Sequence, residues 1–297
     1  MQGKPRTRKT LGPMIGGRTW VLLSFAAAGL WAAVRLDLDP RAILPNEGGM
    51  QIAREFFARA ISPALTYESA VPVAGAAPLL TKAFGAAHRT LIFAGAAVSL
   101  ALVIGLPLGF LSSTIWWEGD PAGAESRTMR FLRRKLAPLV YAASRALATV
   151  MRSIHELLWA VIFLAALGAS NLTAVIAIAI PFGGTFAKVF SELLDETPRD
   201  SALALRGGGA SPFQVVLFGV LPRAQSDMTA YTFYRFECAL RSSAILGFFG
   251  YPTLGYYIAA SFENLHYGEV WTYLYTLFLL IAAADWWSGS FRRSFAA

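Results

Sequence analysis

The sequence predicts an all-α polytopic membrane protein with about six transmembrane helices, and three observations support this. Hydrophobic residues make up 56% of the 297-residue chain and charged residues only 15%, against roughly 25% charged in ordinary globular domains. Mean hydropathy is +0.50, and a soluble domain of this size needs more charge than that to cover its surface. Apolar runs that can cross ~30 Å of hydrocarbon recur along the chain with basic clusters beside them.

The charge pattern fixes the expected sidedness. Lys and Arg number 26 and Asp and Glu 18, a net +8. The basic residues crowd the first eighteen positions (Lys4, Arg6, Arg8, Lys9, Arg18) and the stretch Arg127, Arg130, Arg133, Arg134, Lys135. Both clusters adjoin apolar runs, which is the positive-inside pattern of a membrane protein and no nucleic-acid footprint. The single cysteine, Cys238, excludes an internal disulfide, and His88, His155 and His266 are too scattered for a zinc motif.

Residues 1–18 read as a basic cytoplasmic N-terminus. Thr19 to Val34, between Arg18 and Arg35, reads as an N-terminal transmembrane helix (19–35). It has the basic start and short apolar core of a signal peptide, but the apolar segments that follow favour an uncleaved anchor. Residues 36–86 read as an external loop, in which Met50–Ile61 spaces Ile52, Phe56, Phe57 and Ile61 either as a surface amphipathic helix or as a loop helix packed on the bundle. A second span is expected over Thr90–Leu111, where Pro107 within Gly105-Leu-Pro-Leu-Gly109 suggests a kink more than a dimer motif. Leu136–Leu167 is too long for one straight crossing. Leu172–Leu194 is the fourth span, with a distortion expected at Pro181, Gly183 and Gly184. Asp227–Phe249 and Val270–Trp287 complete the set. The loop 250–269 holds no Lys or Arg, which suits the outer face.

The polar stretch 195–226 carries the most information. Thr197-Pro198 reads as a helix start with a hydroxyl cap, and the short helix it opens ends at Gly207-Gly208-Gly209. Ser211-Pro212 repeats the signal, and the second short helix is expected to stop at Pro222. Together they make a compact knob, to which Val215, Val216, Leu217 and Phe218 lend apolar surface; an ordinary structured loop is the alternative reading of the pattern. No glycine-rich loop ending in Gly-Lys-Ser/Thr occurs in the chain, so uphill transport driven by ATP would need a nucleotide site on another subunit.

Ala204-Leu-Arg-Gly-Gly-Gly209-Ala, a spacer and Gly-Val-Leu221-Pro222 resemble the "EAA" loop of binding-protein-dependent ABC importer permeases. Ser153–Phe163, Phe186–Glu196 and Tyr231–Gly250 resemble the phosphonate/phosphite branch in particular. The likeness covers about Thr90–Arg293. It implies a type I permease core of five helices over 87–293, with the N-terminal helix as an extra. Leu203 stands where the motif has its leading Glu, Gly219 at its Ile, and His155 at a proline; Tyr251-Pro252-Thr253 replaces a small-residue run.

The resemblance implies a coupling loop formed by Leu203, Ala204, Arg206, Gly207, Gly208, Gly209, Ser211, Leu221 and Pro222. The implied partners are a cytoplasmic ABC ATPase dimer that holds the ATP, an external substrate-binding protein, and a second permease copy or paralogue in a bacterial inner membrane. No cofactor is expected on this chain. The intramembrane charges are the second pointer. Glu237 and Arg241 are spaced to pair, as are Arg152 and Glu156, while Arg235 projects to another side. Such pairs neutralise a bundle; alternatively Arg235 or Arg241 lines a pathway for a phosphonate-like anion. An importer for another small solute, such as methionine, is the alternative cargo. A secondary transporter would show two similar halves, and a membrane enzyme a convergent set of catalytic groups; neither is legible.

Overall fold

The computed structural model describes residues 17–39, 46–69, 77–115 and 127–295. The basic residues Lys4–Lys9 lie outside the described residues, as do 40–45 and 70–76 of the expected external loop. The chain divides into two units, 1–57 and 58–297. The first contains α1 (Gly17–Arg35) and most of α2 (Glu47–Ile61). α1 is apolar but short, and α2 places its apolar residues at helical spacing as expected.

The second unit is a helical bundle: α3 (Leu79–Ser112), α4 (Arg127–Ser153), α5 (Glu156–Leu167), α6 (Asn171–Glu196), α7 (Asp200–Gly207), α8 (Pro212–Gln214), α9 (Leu221–Ile245), α10 (Leu254–Glu263) and α11 (Tyr267–Phe295). A π-helical stretch, Val215–Val220, joins α8 to α9, and a 3₁₀ turn, Leu246–Phe249, ends α9. Among the described residues, α3, α6 and α11 are long and apolar enough to cross a membrane; the α4–α5 pair makes a fourth if it crosses as one bent span. α9 occupies the expected fifth span but is less apolar, because Arg223, Asp227, Arg235, Glu237 and Arg241 lie along it. Such a helix crosses only if those charges face protein or water.

The long segment 136–167 is broken, with its two helices turned 89° to each other. The break has a local cause. His155 adopts extended backbone and its Nδ1 accepts from the Leu157 N–H at 3.3 Å, so the histidine caps α5.

α6 is the central strut, packed against α3, α4, α5 and α9. Both Pro107 and Pro181 lie inside unbroken helices. The glycines near these prolines allow close approach within the chain. A Cβ on Gly105 would lie 2.5 Å from the Phe186 Cβ, and one on Gly184 2.7 Å from the Ala148 carbonyl oxygen. Backbones this close leave no room for side chains. Phe182, Phe186 and Phe190 fill the buried face of α6, and Tyr231 of α9 meets Phe186 edge-on at 5.9 Å.

The Tyr251-Pro252-Thr253 run is a packing corner. Thr253 is fully buried and its Oγ1 donates to the Ala244 carbonyl at 3.1 Å. Thr90 of α3 accepts the Leu254 N–H on its Oγ1 at 3.1 Å, while its carbonyl accepts from Ser243 Oγ at 3.0 Å. Segment 60–69 is stitched to α11: Tyr275 Oη donates to the Ala60 carbonyl at 2.7 Å, and the largely buried Glu269 carboxylate accepts from the Glu68 N–H at 2.8 Å.

Candidate functional site

The knob is built from strictly local signals. Asp200–Gly207 closes in a Schellman motif: the Gly209 N–H donates to Arg206 O and the Ala210 N–H to Leu205 O, each at 3.0 Å. Of the three consecutive glycines only Gly209 has positive φ, at +83°, the conformation that disfavours a Cβ. Ser211 and Gln214 form a reciprocal capping box. The Ser211 N–H donates to Gln214 Oε1 at 2.9 Å and the Gln214 N–H to Ser211 Oγ at 3.4 Å. Ser211→Ala should cost about 1 kcal/mol of local stability. Hydrogen exchange would show it as roughly fivefold faster exchange at the start of α8, and unchanged rates there would remove the cap's role.

Three expectations about the knob are corrected. Thr197 ends α6, its Oγ1 donating to the Leu193 carbonyl at 2.7 Å, and α7 starts after Arg199 without a side-chain cap. Pro222 does not stop the second helix but sits in the first turn of α9. The preceding π turn, with the Leu221 N–H donating to Val216 O, widens the backbone where a proline ring would clash with an α-helical carbonyl. Val215 and Val216 are buried, so they fill the knob, and Leu203, Phe213, Leu217 and Phe218 provide its exposed apolar surface. Gly219 lets α7 close on the π turn, since a Cβ there would lie 3.1 Å from Leu205 Cδ1. Leu203, Ala204, Gly207, Gly208, Gly209, Ser211 and Pro222 are exposed, whereas Arg206 and Leu221 are half-buried.

The knob is tied to the bundle at its base. Asp195 accepts from Ser113 Oγ, the Thr114 N–H and Thr114 Oγ1 at 2.7–2.9 Å, which holds the end of α3 beside the end of α6. An apolar groove of about 380 Å³ separates Pro107, Phe110 and Leu111 of α3 from Phe213, Leu217 and Leu221.

A second cavity, of about 410 Å³, opens midway along α6 at the α4–α5 break. Arg152, Glu156, Arg235 and Arg241 all line it, so four of the five singled-out charges converge. Glu237 is not in the lining but holds Arg241, Oε1 to Nη2, at 3.0 Å. Arg152 and Glu156 do not pair, because the helix ends between them. Glu156 Oε1 instead accepts from Ser242 Oγ of α9 at 2.8 Å, and its Oε2 lies 3.6 Å from His155 Nε2. Arg235 and Arg241, expected on different sides, reach the same space on their long stems. The Arg235 guanidinium lies over the Phe182 ring at 4.5 Å, and its buried Nε has no hydrogen-bond partner.

Cys238 and Ser242 also line this cavity and were not singled out from the sequence. Their spacing from Arg235, three and seven residues, is the one-face signal that could have found them. Arg145 is not in the cavity lining; it donates to Tyr141 Oη at 2.6 Å. Lys188 pairs with Glu192 one turn away at 2.6 Å. Among the described residues no group of three or more His, Cys, Asp or Glu is placed to hold a metal ion.

Cavity and knob share their supports. α9 carries Leu221 and Pro222 at its start and Arg235 fourteen residues later, roughly 20 Å along the helix. α6 walls the cavity with Pro181, Phe182 and Thr185 and ends at the knob. α6 and α9 thus each run from the knob to a wall of the cavity.

Residues 130–296 match the family described as binding-protein-dependent transport system inner membrane component. Over 158 residues the chain is 32% identical to the phosphite transport system permease protein PtxC of Stutzerimonas stutzeri, covering 53% of this chain and 58% of that protein. Over 207 residues it is 29% identical to the phosphate-import permease protein PhnE of Mycolicibacterium smegmatis, covering 70% of this chain and 36% of that one. The chain thus spans under two thirds of the length of these relatives. The fold resembles the MetNI methionine ABC transporter in inward-facing conformations, with TM-score 0.59 and 21% identity over 74% of this chain and 99% of that one. It also resembles an amino acid ABC transporter structure, with TM-score 0.57 and 15% identity over 72% and 94% of the respective chains.

Proposed function

Because the chain belongs to the binding-protein-dependent transport system inner membrane component family, we propose that it is the permease subunit of an ATP-driven importer for a phosphonate, phosphite or related small oxyanion. The observation that carries the reading is the capped knob at 200–222, continuous through α6 and α9 with a cavity lined by three arginines. A separate pair of ATPases grips the knobs of two permease copies, an external binding protein delivers the ligand, and ATP-driven closure tilts the helices between outward and inward access. The chain lies in a bacterial inner membrane with both termini and the knob in the cytoplasm, and binds no nucleotide or cofactor itself. Permease proteins named for phosphite and phosphate among the relatives support the cargo.

The test is reconstitution into liposomes with and without the ATPase and binding protein, followed by uptake of labelled phosphite. Uptake should require all three components and ATP. Leu203→Arg places a charge on an exposed apolar point of the knob and should lower uptake at least tenfold with the bundle intact. Concentrative uptake by the chain alone, or wild-type uptake by Leu203→Arg, would overturn the reading.

A further inference from the structure

We propose that the α4–α6–α9 cavity is an oxyanion-binding site in which Glu156 selects ligands that still carry a proton. The inference rests on the oxyanion-permease reading above and names the part of the chain that tells one oxyanion from another.

Three arginines line a cavity of about 410 Å³, within the size range of small-molecule sites. Arg241 is partly neutralised by Glu237 at 3.0 Å. Arg235 is held against Phe182 with a buried Nε that donates to nothing. An unmet buried donor on a permanent cation is costly and calls for an acceptor. A tetrahedral oxyanion supplies several acceptors at once and suits the planar guanidinium.

Glu156 is the feature that a site built only for negative charge would lack. Its carboxylate is oriented by Ser242 through Oε1. The other oxygen, Oε2, is 3.6 Å from the His155 ring, beyond a good hydrogen bond, and has acceptor capacity to spare. An ionised carboxylate only accepts. It repels an anion whose oxygens also only accept, but takes a hydrogen bond from one that carries an O–H. Phosphite, phosphonate and phosphate monoanions have that O–H, and mildly acidic pH raises their share over the dianions, which for phosphite and phosphonate lack it. Sulfate has no proton to offer at neutral pH. A carboxylate among arginines therefore passes the protonated phosphorus oxyanions and rejects sulfate, by leaving acceptors facing each other.

Cys238, the only cysteine in the chain, lines the same cavity and serves as a built-in reporter. The full-length chain in nanodiscs is alkylated with N-ethylmaleimide, and modification of Cys238 is followed by mass. Binding of labelled phosphate and sulfate is measured on the same samples by equilibrium dialysis, which covers a thiol too slow to react. At pH 6.5 and equal ionic strength, phosphate and phosphite should slow alkylation at least threefold and sulfate hardly at all. Glu156→Gln keeps an acceptor for Ser242 and should let sulfate protect as well as phosphate. Arg235→Gln should remove protection by every anion. Equal protection by sulfate and phosphate in the unmodified chain, or sulfate still excluded from Glu156→Gln, overturns the selector. If no anion protects or binds, the site itself is overturned. Uptake by the assembled importer is measured in parallel. Phosphite uptake without anion binding to the cavity sinks only this inference, whereas a failure to move any oxyanion sinks the proposed function.

Discussion

Gly184→Leu is expected to eliminate most of the folded protein, while Gly95→Leu leaves it near normal. A Cβ at Gly184 would lie 2.7 Å from Ala148 O, 2.8 Å from Met151 Cβ and 3.1 Å from Arg152 N, whereas one at Gly95 meets nothing within 4 Å. Two of the three obstacles at Gly184 are backbone atoms of a packed helix, so no rotamer change relieves them. Overpacking commonly costs about 1–3 kcal/mol, and a clash with backbone belongs at or above the top of that range. Stability is a small difference of large terms, so this loss should show as aggregated material on size-exclusion chromatography and a thermal transition lowered by many degrees. A Gly184→Leu protein as stable as Gly95→Leu would mean that α4 and α6 are not sealed at this point.

Arg235→Lys is expected to cut ATP-driven uptake of phosphite by about 10- to 100-fold while the permease still folds and assembles. Lysine keeps the charge but loses the planar guanidinium that lies over Phe182 at 4.5 Å and the fork that engages an oxyanion at two points. One charge-assisted hydrogen bond is worth about 1.5–3 kcal/mol, which corresponds to that range of rate. The fold should tolerate the change because Arg235 Nε has no hydrogen-bond partner to lose. Initial uptake rates at saturating binding protein, alongside ATP hydrolysis by the same vesicles, give the measurement. Uptake within twofold of the unmodified chain would place Arg235 outside the path of the ligand.

Glycine chemistry shows where local reading succeeds and where it stops. Gly209 could be read as the end of a short helix because its cause lies within five residues: the chain must turn left-handed to close the last carbonyls. Gly105 sits in a pattern just as visible, but its role depends on Phe186, eighty-one positions away, and nothing near Gly105 announces that partner. Pro107 and Pro181, where kinks were expected, both lie inside helices without a break, Pro181 buried within the bundle and Pro107 exposed on α3.

The charged residues divide the same way. Glu237 and Arg241 lie one helical turn apart, so their spacing alone predicts the pair that forms. Arg152 and Glu156 have identical spacing yet do not pair, because His155 caps a new helix between them and Glu156 turns to Ser242, eighty-six positions on. Membrane character and the outline of the knob were thus legible from the amino-acid order, since each rests on composition or on bonds closed within a turn or two, while the family was legible only through the resemblance of its motifs. Convergence of three arginines and a carboxylate on one cavity was not. It arises from a helix break and from the close approach of α4 to α6 at Gly184, and it took the packed bundle to bring those distant residues together.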